Sequence, residues 1–78
     1  TLALDIPRRD GLESLLRDLH ETVARRGGRV YLAKDAYLQP DTFREMYPAL
    51  GDWMGVKRRV DPENRFTSAQ ARRLQVEP

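Results

Sequence analysis

A chain of 78 residues without cysteine must rest on one small core, because at this size folding buries only about 60 % of the surface that the unfolded chain exposes. The missing thiols exclude disulfide staples, thiolate metal sites and a cysteine nucleophile. A formal charge of +2, with 33 % of residues charged and acids interleaved with bases, gives a weak far field, and no apolar run approaches the ~18 residues of a spanning helix.

The chain opens on Thr1 instead of methionine and runs directly into Leu2-Ala3-Leu4, so it is expected to be a cut piece or a processed product of a longer parent. Leu2, Leu4 and Ile6 alternate with Thr1, Ala3 and Asp5 in the period of a two-faced strand, which Pro7 ends by removing a backbone donor. Asp10 is placed to cap a helix, with Glu13 as its box partner, and Leu12, Leu15, Leu16, Leu19 and Val23 follow at helical spacing. Arg25 and Arg26 suit the negative end of that helix, and Gly27-Gly28 supply a left-handed exit. Val30-Tyr31-Leu32 reads as a second strand, which makes residues 1–33 a β-α-β unit. Two strands are too few for a stable sheet, so the sheet is predicted to continue in the rest of the parent or to pair its edges with a second copy.

Residues 34–78 read as a helical tail. Pro40 suits a first helical position, and Phe43, Met46, Tyr47 and Leu50 form an apolar stripe that Pro48 should break into two short helices, the second carrying Trp53 and Val56. Asp61-Pro62-Glu63-Asn64 is a turn, after which Thr67 is expected to cap a last helix with Gln70 as its box partner and Ala71 and Leu74 inward. The predicted fold class is therefore α+β, a β-α-β unit followed by about three short helices, forming one piece without linker or repeat. Leu4, Leu16, Val30, Phe43, Trp53 and Phe66 are expected in or near its core.

The candidate chemistry is sparse. His20 is the single histidine and has no second histidine or cysteine to share a metal with, so it reads as a half-buried surface residue. Gly27-Gly28 lacks the spacing of a phosphate loop and ends a helix instead of opening one. Basic clusters at Arg8-Arg9, Arg25-Arg26, Lys57-Arg58-Arg59 and Arg72-Arg73 are flanked by acids and lack interleaved aromatics, so no nucleic-acid partner is expected. Lys34 follows the end of the second apolar run; spacing alone leaves it open between a fixed pocket cation, an ordinary ion pair with Asp35 and a solvated side chain, and favours the last two over the first.

The stretch Gly27-Gly28-Arg29-Val30-Tyr31-Leu32-Ala33-Lys34-Asp35 decides more, supported by Thr42-Phe43-Arg44-Glu45-Met46-Tyr47-Pro48 and Val60-Asp61-Pro62-Glu63-Asn64-Arg65-Phe66. With these residues the chain resembles the C-terminal end of FAD-linked oxidases of the vanillyl-alcohol oxidase superfamily, most of all the sugar-oxidising branch that includes the decaprenylphosphoryl-ribose and aldonolactone oxidases. The resemblance implies that residues 1–78 are the segment that returns from a substrate or cap domain to the flavin, the FAD being held mainly by an N-terminal domain of the same parent. It implies Lys34 as the essential active-site lysine and a cofactor contact, and Tyr31 as a second cofactor contact. The implied reaction is hydride transfer from a sugar-type alcohol to flavin, on a sugar or polyprenyl-phosphoryl sugar, with the isolated segment inactive. Mycobacterial members carry a cysteine in the stretch matching residues 1–6, where this chain has Ala3; Ala3 is thus a candidate pocket residue without thiol chemistry. The parent's location is left open between the cytoplasm and a membrane surface. The alternative is a stand-alone interaction module that binds a partner through a sheet edge or the basic clusters.

Overall fold

The computed structural model describes residues 2–77, and Thr1, the first residue of the expected strand, lies outside them. The first helix, α1, spans Leu12–Arg25 and begins after Gly11, whose φ of 83° puts it in the left-handed region. No side chain caps it, so the expected box between Asp10 and Glu13 is not made; Glu13 instead accepts from Arg17 one turn on, at 3.2 Å. Its C-terminus follows the expected chemistry closely. Gly27 takes the left-handed conformation at φ 76°, its N–H donates to the Ala24 carbonyl at 3.0 Å, and the Gly28 N–H donates to the Val23 carbonyl at 2.8 Å. That crossed pair of bonds satisfies two of the carbonyls that a helix end leaves open. Gly28 serves for a different reason: a Cβ there would lie 2.7 Å from Cγ1 of Val23.

The remaining elements are a single 3-10 turn at Leu32–Lys34, then α2 (Pro40–Met46), α3 (Leu50–Val60) and α4 (Ala69–Arg73). Pro40 opens α2, and Pro48 lies in the three-residue connection that separates α2 from α3, as its lost donor requires. The cap of α4 falls one residue later than expected: Ser68 Oγ, not Thr67, accepts from the Ala71 N–H at 3.0 Å.

The β-α-β unit is not formed. Among the described residues there is no strand. Residues 2–9 are irregular, with Leu2 82 % exposed and Leu4 exposed as well, because an alternating run becomes a strand only when a neighbour accepts its ladder bonds and covers one face. Val30-Tyr31-Leu32 fails for a related reason: Tyr31 is extended, but the chain tightens into a 3-10 turn from Leu32 on, where the Lys34 N–H donates to the Tyr31 carbonyl at 3.0 Å. The sheet edges through which a second copy was expected to pair are therefore absent from the described residues. The chain is helical where an α+β fold was expected.

The core is small and lies between α1, α2 and α4. Ala24, Leu38, Phe43, Met46 and Leu74 are buried together, with Val30, Leu32, Tyr47, Leu50 and Val76 packed around them. Leu38 and Leu74 keep 2 % of their surface, and burying a leucine fully contributes about 1.5–3 kcal/mol. Phe43 and Tyr47 stack with ring centroids 4.9 Å apart. Of the expected core residues, Phe43 is buried and Val30 packs beside it, whereas Leu4, Trp53 and Phe66 are exposed and Leu16 is half-buried.

Candidate functional site

The 3-10 turn ends on Lys34, and the way it is held defines the site. Asp35, the next residue, keeps only 6 % of its surface, and its carboxylate is engaged from α4. Arg73 Nη2 reaches Oδ1 at 2.6 Å, and Gln70 Nε2 donates to Oδ2 at 2.9 Å. The same two side chains hold the backbone on either side: Gln70 donates to the Leu32 carbonyl at 2.6 Å, and Arg73 Nη1 donates to the carbonyls of Asp35 at 3.0 Å and Leu38 at 3.4 Å. Residues 70 and 73 lie one turn apart on α4, so one helix face clamps the turn at both ends. Asp35 is thus unavailable to Lys34, and among the described residues no carboxylate pairs with the Lys34 ammonium. The plain ion pair between Lys34 and Asp35, left open by spacing, is not formed.

Lys34 borders a groove of about 380 Å³ together with Leu4, Ile6, Arg8, Leu12, Leu16, His20, Ala36 and Tyr37. The lining combines apolar side chains from the N-terminal stretch and α1 with two cations. His20 is half-buried, as its position on α1 predicted, and burial lowers its pKa from the usual 6.5, which favours the neutral ring. Its Nδ1 has no hydrogen-bond partner among the described residues. The other two sequence candidates stand apart from this groove. Tyr31 is 72 % exposed at the start of the turn, and Ala3 is exposed between Leu2 and Leu4 without lining the groove.

Comparison with known proteins decides what this arrangement belongs to. The sequence pattern of the D-arabinono-1,4-lactone oxidase family matches residues 6–74. The chain belongs to this family. It is 40 % identical over 75 residues, 96 % of its length, to a protein of Mycolicibacterium smegmatis named decaprenylphosphoryl-beta-D-ribose oxidase, of which the match covers 16 %. It is also 47 % identical over 74 residues, 94 % of its length, to an uncharacterized Streptomyces coelicolor protein encoded in the mprA 5′ region, covering 20 % of that protein. The chain therefore spans a fifth or less of these curated relatives. The family match contains all three stretches on which the resemblance rested, including the clamped turn.

Two features of this segment gave no local signal in the sequence. The partners of Asp35 lie 35 and 38 residues downstream, and Gln70 looked like a capping residue until the cap proved to be Ser68. On the far side of α2, Arg29 lies over the Tyr47 ring at 5.0 Å from its centroid, and the Tyr47 hydroxyl donates to the Val30 carbonyl at 3.2 Å. These contacts tie the stretch before the turn to α2. A third lock closes the turn before α4. The Asp61 carboxylate accepts from the N–H groups of Arg65 at 2.8 Å and Phe66 at 2.9 Å, and from the Lys57 ammonium. The bond from Lys57, followed by those from Phe66 and Arg65, lowers the Asp61 pKa from 3.8 to about 2. Among the described residues no cluster of histidine and carboxylate side chains is suited to a metal ion.

Proposed function

We propose that this chain is the C-terminal segment of an FAD-dependent oxidoreductase that oxidises a sugar-type alcohol, with Lys34 as its fixed active-site cation. The observation that supports this most is the unpaired ammonium of Lys34 on a turn whose neighbouring carboxylate is committed to Arg73 and Gln70. Family membership supplies the reaction class, since both the family and the M. smegmatis relative are named as oxidases.

The residues fit a flavin. Bound FAD would supply the hydride acceptor: the alcohol would lose a hydride from carbon to the ring and its hydroxyl proton to solvent, leaving a ketone and a reduced ring bearing negative charge. Lys34 is the group proposed to meet that charge. The backbone of its turn is held by four side-chain hydrogen bonds to the Leu32 and Asp35 carbonyls and the Asp35 carboxylate before any charge develops, so the base of the lysine stem is fixed in advance. Tyr31, with its ring exposed three residues earlier, presents a flat aromatic face as a second cofactor contact. Ala3 is the proposed pocket residue on the substrate side. The groove beside Lys34 joins apolar lining to Arg8, which suits a substrate with both hydrocarbon and anionic parts, as a polyprenyl-phosphoryl sugar has. The remainder of the parent chain is the segment's partner, and the segment alone is inactive for want of the flavin domain.

The full-length gene product should purify yellow and bleach anaerobically when given a sugar-type alcohol, releasing the matching ketone. A colourless full-length protein that recruits no flavin on adding FAD would end this proposal and favour a binding module instead.

A further inference from the structure

We propose that Arg73 and Gln70 are positioning residues that keep the Asp35 carboxylate away from Lys34, so that the Lys34 ammonium stays unpaired and available to the flavin. The proposal rests on the flavin role given to Lys34 above and extends it to residues at the far end of the segment.

Lys34 and Asp35 are consecutive, and a lysine carries its charge on a flexible four-carbon stem. A free Asp35 carboxylate would therefore be the nearest anion within reach of Lys34, and pairing with it would cancel the charge the reaction needs. The clamp removes that competitor. Arg73 offers a planar fork, spending Nη2 on the carboxylate and Nη1 on two backbone carbonyls, while Gln70 takes the second carboxylate oxygen. Both oxygens of Asp35 are thereby used. The carboxylate is buried whereas the Lys34 side chain is exposed, so the two point into different surroundings although they are neighbours in the chain. Gln70 also bonds the Leu32 carbonyl, which fixes the start of the turn. The arrangement makes α4 the support of the cation.

The test uses the full-length flavoprotein and a probe that needs no knowledge of the natural substrate. Sodium sulfite adds to bound flavin and leaves negative charge on the ring, so its affinity, read from the loss of flavin absorbance, reports the cation beside it. Lys34→Ala should weaken sulfite binding about tenfold or more, comparable to the loss of one favourable charge interaction of about 1.4 kcal/mol. Arg73→Met should weaken it to a similar degree by releasing Asp35 onto Lys34. Adding Asp35→Asn to Arg73→Met should restore affinity to within about threefold of the parent, since no carboxylate is left to capture the lysine. Asp35→Asn alone keeps one acceptor oxygen, for Arg73, and gives up the bond from Gln70; it is expected to fold and should leave sulfite affinity unchanged or higher. Two results would overturn the proposal: a double variant no better than Arg73→Met, or a tenfold loss in Asp35→Asn alone. Should Arg73→Met not fold, Gln70→Ala, which frees one Asp35 oxygen, carries the same expectation of weaker sulfite binding, and an unchanged affinity there would overturn the proposal. If Lys34→Ala itself leaves sulfite affinity untouched, the flavin role of Lys34 fails first, and that outcome is distinct from a failure of the clamp alone.

Discussion

Residues 32–77 hold one another through polar side chains far apart in sequence, whereas the described part of the first 26 residues contributes mainly apolar surface. Gln70, Arg73 and Arg44 each bond backbone more than thirty positions away. By contrast, every side-chain hydrogen bond donated within residues 2–26 stays within four positions. Leu2, Leu4, Leu15 and Leu19 all face solvent in that first part. A fixed cation needs the first kind of holding, because hydrogen bonds set direction while apolar contact sets only proximity. The Lys34 turn lies on the polar, cross-linked side of this divide.

The comparison breaks most visibly in the core. Leu74→Ala removes a fully buried side chain from beneath α4 and should destabilise the chain by about 2–5 kcal/mol, read by thermal denaturation, while Leu4→Ala should change it by less than about 0.5 kcal/mol. Equal losses for the two would erase the distinction. Gly27→Ala comes next: its φ of 76° suits glycine, and an alanine there should cost about 1–2 kcal/mol and loosen the end of α1 without moving the Lys34 turn. Gln70→Ala should cost about 1–3 kcal/mol, chiefly by leaving Oδ2 of the buried Asp35 carboxylate without its donor, and amide exchange at Lys34 should rise while exchange within α1 stays as it was.

The finest comparison is with pH. Asp61 has a folded pKa of about 2 against an ordinary 3.8, so its stabilisation is complete above the ordinary value and is lost as pH falls through about 2. Melting temperature recorded from pH 5 to pH 2 should drop in the parent sequence, and Asp61→Asn should flatten that part of the curve. The fall belongs to the turn before α4, and a profile unchanged by the substitution would remove Asp61 from its cause.

Much of the helical half was legible from residues alone. Pro40, Pro48, Gly27 and Gly28 act where their backbone chemistry says they must, and the stripe through Phe43, Met46 and Tyr47 covers the core. The absence of strands among the described residues was not legible, because alternation at Leu2, Leu4 and Ile6 states which faces differ and not whether a neighbouring strand exists to cover one of them. Trp53 and Phe66 mislead for the same reason: large apolar residues at helical or post-turn positions read as inward, yet both are exposed. Lys34 and Tyr31 came from the motif they sit in, while Gln70 and Arg73 could be linked to Asp35 only through the fold. A buried aspartate beside a candidate lysine does pose a readable question, namely which cation satisfies it.

The central claim is that the Lys34 ammonium carries transition-state stabilisation at a flavin. Lys34→Ala in the full-length enzyme, followed by anaerobic rapid mixing with its alcohol substrate, should slow flavin reduction by about two to three orders of magnitude while bound flavin remains measurable. A variant that reduces its flavin at the parent rate would contradict the account.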